Sequence, residues 1–386
     1  LISMSVAAST PAAAAGASRR DWPFLIAAAL SAALLVALVL VDRQWASAAL
    51  IILGFGLGAA FLAAEFSFTA SWRRFIARAE PDGLIGGLLL IAIAAVVIVP
   101  VTALVAGFGG AIAPLGPSLV TGAFVFGIGM QIANGCGSGT LYTAGGGSGR
   151  MLITLAFFVL GSVLGSLHLP AALALGGIDP VLAKDYFGPW GGLAVTLATL
   201  AAAAGGCVAL ARRRGTRWQP SRKIVAGAIA IGLLSTAVFA AGGHPWSVTF
   251  GFTLWGGKVA SALGFDLSQA EFWQWAGPKF ALQNSVLSDT SSLTDFGMIL
   301  GAMAAAALRQ PFARAAWPPL KSLLAAALGG LLMGWGARLG FGCNIGAFVG
   351  GVASGSLHGW VWFGAALAGC WVGIRARPWF GFAREG

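Results

Sequence analysis

The stretch LIGGLLLIAIAAVVIVPVTALVAGF, residues 84–108, holds one threonine and no charged side chain. A helix needs about 20 mainly apolar residues to cross a bilayer, and this stretch exceeds that. Windows of the same character lie at 24–41, 151–169, 191–211, 224–241 and 323–339. A membrane β-barrel would instead alternate apolar and polar positions in segments of about 10 residues. These windows are apolar on every face and rich in alanine and leucine, which selects helices. The whole chain agrees: of 386 residues, 58% are hydrophobic and 9% charged, against about 25% charged in soluble domains. The fold class read from the sequence is an all-α polytopic membrane protein, with the lipid bilayer as its surroundings.

The net charge of +11 does not point to nucleic acid, because the basic residues form no continuous soluble face. They punctuate the apolar windows as Arg19/Arg20, Arg73/Arg74/Arg78, Arg212/Arg213/Arg214/Arg217/Arg222/Lys223, Arg309/Arg314/Lys321 and Arg375/Arg377/Arg384. Lysine and arginine concentrate in cytoplasmic loops, so these clusters nominate one side and place both termini on it. The connections 176–189 and His244-Pro245-Trp246 hold no arginine and fit the opposite side. Residues 1–20 read as a disordered cytoplasmic N-terminus. Arg19-Arg20 precede the apolar run 24–41 and Asp42-Arg43 follow it, a pattern of a first membrane helix rather than a cleaved signal.

Glycine is abundant, with 58 residues, and it concentrates around two cysteines. One stretch is GIGMQIANGCGSGT at 127–140, the other GWGARLGFGCNIGA at 334–347. Overlaying Cys136 on Cys343 gives an offset of 207 (343 − 136). The same offset pairs Gly122 with Gly329, Gly127 with Gly334, Gly129 with Gly336, Gly135 with Gly342 and Gly139 with Gly346. The reading is an internal duplication inside one membrane domain, with a first repeat at 21–215 and a second at 216–386. An odd number of crossings per half makes this an inverted repeat, an arrangement that places substrate near the midplane between broken helices. Glycine costs about 1 kcal/mol relative to alanine inside a helix. The glycine-rich stretches therefore suit turns at membrane depth, as two re-entrant or broken pairs near 115–150 and 325–357 meeting at the centre.

Cys136 and Cys343 lead the candidate site, flanked by Asn134, Gly135, Gly137, Gly342 and Asn344. A thiol at a helix break gives a polarizable contact and a weak S–H donor, beside the free N–H groups that draw anions to helix N-termini. Arg338 and Lys258 lie in or beside apolar windows, where charge is costly and usually functional. Either could offset a sulfur oxyanion, with snorkelling toward the interface as the alternative for Arg338. Glu65 reads as a helix-end partner of an arginine such as Arg73. The polar segment 283–295, with Asn284, reads as a loop with helix caps or as the counterpart of the Ser67 region, although no single offset aligns the two. Cys207 and Cys370 read as small buried hydrophobes. His168, His244 and His358 have no metal-ligand spacing, so no metal or cofactor is expected. Trp246, Trp273, Trp275, Trp317, Trp360 and Trp379 fall at window ends and read mostly as interface anchors. A phosphate-binding Gly-x₄-Gly-Lys-Ser/Thr motif does not occur.

The stretches Asn134–Gly139 and Gly336–Cys343 resemble the repeated cores of the YeeE/YedE family of bacterial inner-membrane sulfur-compound transporters. Further resemblance lies in His244-Pro-Trp-Ser-Val-Thr249, Leu254-Trp-Gly-Gly-Lys258 and Asp295-Phe-Gly-Met-Ile-Leu-Gly301. The resemblance implies an hourglass of membrane helices and short re-entrant helices in an inverted repeat. It further implies thiosulfate, or a related sulfur anion, handed between the central cysteines Cys136 and Cys343 through S–H···S contacts. A small cytoplasmic sulfurtransferase is the implied partner. The family's early motif resembles Arg-Phe-Cys-Phe, whereas this chain has Glu65-Phe66-Ser67-Phe68. Ser67 then stands where the relatives carry a cysteine, and a hydroxyl supplies no soft sulfur contact. Competing readings are a transporter of a selenium compound or another sulfur species, and a membrane-embedded thiol or sulfurtransferase enzyme. The enzyme would want an activated thiolate, and the chain has no Cys-x-x-Cys pair. A membrane scaffold protein would tolerate loss of both cysteines.

Overall fold

A computed structural model of the chain describes residues 20–42, 44–216, 218–309 and 318–383. Of the expected N-terminal segment only Arg20 falls among them; Arg19, Arg43, Arg217, Arg314, Trp317 and Arg384 lie outside the described residues.

The described chain is helical. Its membrane helices are apolar on all faces because lipid or another apolar helix meets every side. In chain order they begin with α1 (Trp22–Val41), α2 (Trp45–Ala64), the short α3 (Phe68–Arg78) and α4 (Asp82–Leu104). Then follow α5 (Pro117–Ala133), the nine-residue α6 (Gly137–Gly145), α7 (Gly149–Leu173) and α8 (Ala183–Arg213). The next group is α9 (Arg222–Gly242), α10 (Thr249–Ala262), α11 (Glu271–Gln274), α12 (Ala276–Gln283) and α13 (Thr290–Arg309). The chain closes with α14 (Leu320–Leu339), a π-helical segment Asn344–Val349, α15 (Gly350–Ala353) and α16 (Leu357–Ala376). Among the described residues, 10 helical stretches are long and apolar enough to cross a membrane. The chain is an all-α, multi-pass membrane protein.

Helices break where the sequence supplies the means. Asn134 ends α5 in the left-handed region at φ 57°, which asparagine tolerates better than most residues. Gly188-Pro189 kinks α8, Gly188 taking φ 69°, as a proline ring with no N–H requires. The Gly-Cys stretches end α5 and α14 and lead into α6 and into the π-helical segment.

Small residues let membrane helices approach closely, and the α5–α14 crossing depends on this. A Cβ on Gly122 would stand 2.2 Å from the Gly340 nitrogen, and one on Gly129 would stand 2.8 Å from the Gly329 carbonyl oxygen. Around this crossing the packing is reciprocal. Helix α7 lies on α14 as α16 lies on α5, and α2 lies on α13 as α9 lies on α4. Helix α3 touches α4, α5 and α16, while α10 touches α13, α14 and α7. The element that packs as α3 does is therefore α10, not the polar segment 283–295. That segment forms the 3₁₀ turn Val286–Ser288 and the start of α13, with Ser285 capping Leu287 and Asp289 capping Ser292.

The basic clusters gather at one end of the bundle through direct contacts. Arg73 and Arg377 both donate to the Asn134 Oδ1, at 2.8 and 3.1 Å. Lys223 pairs with Glu65 at 2.6 Å, and Arg309 donates to the Leu62 and Ala63 carbonyls. At the other end Gly109 donates to the Gly243 carbonyl, Ala183 to that of Gly355 and Leu357 to that of Val181. The tryptophan reading needs correction in part. Trp246 and Trp273 are buried, Trp273 donating to the Ser166 hydroxyl and Trp246 standing 5.8 Å from the Phe61 ring. Trp379, 78% exposed, keeps the anchor position. Cys370 is buried as expected, whereas Cys207 is only half-buried.

Candidate functional site

The two cysteines meet at the centre of the fold. Each occupies the N-cap position of the short helical segment after its break, Cys136 for α6 and Cys343 for the π-helical segment. A Cβ on Gly137 would lie 3.0 Å from the Cys343 sulfur, so that sulfur reaches the backbone next to Cys136. Both residues are closed off from solvent. The Cys136 sulfur accepts the Gly139 N–H at 3.4 Å and lies 3.6 Å from the Ser138 hydroxyl. The opening turn of α6, where helical N–H groups lack intrahelical partners, thus stands at the sulfur pair.

Asn344, next to Cys343, is fully buried, and neither its amide nitrogen nor its carbonyl oxygen has a hydrogen-bond partner. An amide offers two donors and a two-lone-pair acceptor, and leaving a buried polar group unmade costs about 1–3 kcal/mol. Such a group is a ready contact for a polar guest. The Thr69 hydroxyl from α3 is likewise buried and without a partner. From α10, the Thr249 methyl would stand 3.7 Å from a Cβ on Gly137; just before α10, the Ser247 hydroxyl would stand 3.3 Å from one on Gly346. Helix α10 therefore borders the pair, with Ser247 at its entrance.

The remaining candidates separate into near and far. Gly135, Gly137 and Gly342 form the turns that carry the cysteines, Gly342 at φ 148°. Arg338 stands in α14, its guanidinium 3.4 Å from the Thr253 hydroxyl of α10 and over the Phe250 and Phe272 rings at 5.9 and 5.3 Å. Those inward partners distinguish it from a side chain reaching for the membrane surface. Ser67 caps α3, its hydroxyl accepting the Ala70 N–H at 3.2 Å. Tyr142 of α6 ties that cap to the centre by donating to the Phe66 carbonyl. Asn134 is exposed, its side-chain oxygen held by Arg73 and Arg377. The Lys258 amine donates to the Leu282 and Asn284 carbonyls at 2.5 and 2.6 Å, which anchors that connection. Glu65 forms a helix-end ion pair, its partners being Lys223 and Arg309.

Ser138, Ser247 and Thr249 lie in stretches that carry the resemblance but were not named as site residues, and Thr69 was not named either. Single hydroxyl residues in apolar helices have no spacing signature, and only the fold brings them to the cysteines.

The family model described as sulphur transport matches residues 63–372, and the chain belongs to that family. It is a transport family, and the named relatives are transporters rather than enzymes. The chain is 35% identical over 164 residues to "Probable transporter YedE" of Escherichia coli (strain K12), covering 41% of this chain and 37% of that protein. The YedE of Salmonella typhimurium is 34% identical over a similar span, so the match spans 37% of the length of each of these relatives. "Thiosulfate transporter TsuA" of Spirochaeta thermophila is 28% identical over 261 residues, covering 63% of this chain and 72% of that protein.

Proposed function

We propose that this chain carries thiosulfate, or a closely related sulfur anion, across the bacterial inner membrane by way of Cys136 and Cys343. The observation that carries the reading is the meeting of two buried Gly-Cys helix breaks, the Cys343 sulfur against Gly137. Thiosulfate has a soft terminal sulfur and charged oxygens. Two S–H groups suit the first, and the Asn344 amide, the Thr69 and Ser247 hydroxyls and the start of α6 suit the second. Arg338 would add attraction from the α10 side, with Gly135, Gly137 and Gly342 letting the backbone come close. The name of the TsuA relative supports this cargo.

The reciprocal packing supports an inverted repeat. Five membrane-crossing stretches lie between Trp22 and Leu173 and five between Ala183 and Phe380, and an odd number per half inverts the second. The packing pairs favour a boundary in the connection between α7 and α8 rather than at 215/216. In this arrangement α3 re-enters from the basic end and α10 from the other, which gives an hourglass with the sulfurs at its waist. The clustering of arginines supports a cytoplasmic α3 end, with both termini on that side. The anion would pass Ser247 and Thr249, then Cys343, then Cys136, then Thr69 and Ser67. Ser67 stands in the pathway as a hydroxyl, so the relay has two thiols. A small cytoplasmic sulfurtransferase at the α3 end would consume the delivered sulfur.

The test is uptake of radiolabelled thiosulfate by bacteria lacking other sulfur importers, with and without this chain. Uptake that unlabelled thiosulfate blocks and selenium compounds do not is the expected result. No uptake above the empty vector, in membranes that contain the protein, would overturn the cargo assignment.

A further inference from the structure

Asp295 is the one acidic residue inside α13. It is fully buried, and neither carboxylate oxygen has a hydrogen-bond partner. A Cβ on Gly251 would lie 2.8 Å from its Oδ2, so the carboxyl group rests on the backbone of re-entrant α10. Ionised carboxylates without partners are among the costliest groups to hold in a membrane interior, and a protonated one avoids most of that cost.

Among the described residues no cation forms an ion pair with Asp295; Arg338, on the other side of α10, reaches the Thr253 hydroxyl. Helix α1 has no titratable residue between Trp22 and Val41. Helix α2 ends in Glu65, which is occupied by Lys223 at the basic end. From α6 come Cys136 and Tyr142, the latter donating to the Phe66 carbonyl. From α10 comes Lys258, whose amine is engaged by two carbonyls. From the 3₁₀ turn comes a second acid, Asp289, and across the centre stands Cys343.

Asp289, six residues before Asp295, is the acid that reaches the surface. It lines a surface cleft of about 250 Å³ with Ser285, Ser288 and Thr290. Its Oδ2 accepts the Ser292 hydroxyl at 2.7 Å, and that hydroxyl in turn accepts the Trp255 N–H of α10 at 2.9 Å. Burial pushes the Asp289 carboxyl up and the hydrogen bonds from Ser292 draw it down. One acid thus lies at the mouth and one at depth, both on the face that α10 covers.

We propose that Asp295 is a proton-carrying site that couples anion movement to proton movement in the same direction. The inference rests on the transport reading and adds its driving force. In the arrangement seen, Asp295 is a neutral acid against Gly251. When α10 shifts, the O–H bond of Asp295 breaks, the proton goes to water on the receiving side and the carboxylate keeps the electron pair. The carboxylate takes its next proton from the supplying side, so one proton moves per cycle through this group and no oxidant or reductant is involved.

The test uses purified full-length protein in proteoliposomes, with the membrane potential clamped by potassium and valinomycin in sodium-free buffer. Two signals are read: thiosulfate counterflow, which needs no net proton movement, and uptake driven by a pH gradient with a pH dye reporting thiosulfate-induced proton flux. Wild type is expected to show both, with weaker thiosulfate binding as pH rises. Asp295→Asn, which mimics the neutral acid, is expected to keep counterflow within about twofold and to lose gradient-driven uptake and proton flux by about tenfold or more. Asp295→Glu should restore part of the flux. Wild-type counterflow with no proton flux, or with a requirement for sodium, overturns the proposal. So does Asp295→Asn retaining wild-type flux, or losing counterflow together with flux, which makes Asp295 structural. Absence of counterflow in wild type defeats the transport reading itself.

Discussion

Asn344 shows most directly how this molecule trades stability for a site. Its buried amide makes no hydrogen bond, and an apolar residue of similar volume would remove that cost. Asn344→Leu is expected to raise the unfolding midpoint in detergent, by the equivalent of about 1–3 kcal/mol, while lowering thiosulfate uptake. A fall in both would instead make Asn344 a structural residue. The Ser67 hydroxyl works the other way: it caps α3, and Ser67→Ala should cost about 1 kcal/mol of stability. At this scale the cysteines were legible because glycine-rich context repeats around both. Arg338 was legible as a charge in an apolar window, although its partners Thr253, Phe250 and Phe272 were not. Lys258 had the same signature, yet its amine serves the carbonyls of Leu282 in α12 and Asn284 at its end. A charge in a window marks a cost, and the sequence does not say whether backbone or substrate meets it.

Six long helices were written in the apolar windows, and the breaks at 115–150 and 325–357 in their glycines, but α3 and α10 were not. Helices α3, α6 and α10 are too short to stand out in hydropathy, and they are the ones that line the centre. Their roles come from helix breaks at Asn134 and Gly342 and from close crossings that a one-dimensional pattern does not display. The pairing of α3 with α10 escaped the fixed offset of 207 because the connections 243–248 and 263–289 differ in length from their counterparts. The α5–α14 crossing gives this scale its test. Gly122→Leu would push a side chain into the Gly340 backbone, where a Cβ already stands at 2.2 Å. Overpacking costs about 1–3 kcal/mol and occasionally more, so this variant should lose folded protein and uptake together. Normal thermal unfolding of Gly122→Leu would contradict the crossing.

Over the whole molecule, the arginine clusters scattered through the sequence converge on one end, which agrees with the expectation drawn from loop composition. Orientation can be checked by labelling. Gln219→Cys lies at the basic end and Gln269→Cys in the exposed connection after α10. In intact cells a membrane-impermeant maleimide should label Gln269→Cys and leave Gln219→Cys unlabelled until lysis; the reverse pattern would invert the topology. The central claim, transport through a waist built by two buried thiols, has a more direct test. Radiolabelled thiosulfate uptake is compared among wild type, Cys136→Ala and Cys343→Ala, with immunoblots showing equal protein in the membrane. Loss of uptake in either single variant, with the wild type active, is the expected result. Wild-type uptake in both variants would contradict the account, since the sulfurs would then be packing atoms and the pathway would lie elsewhere.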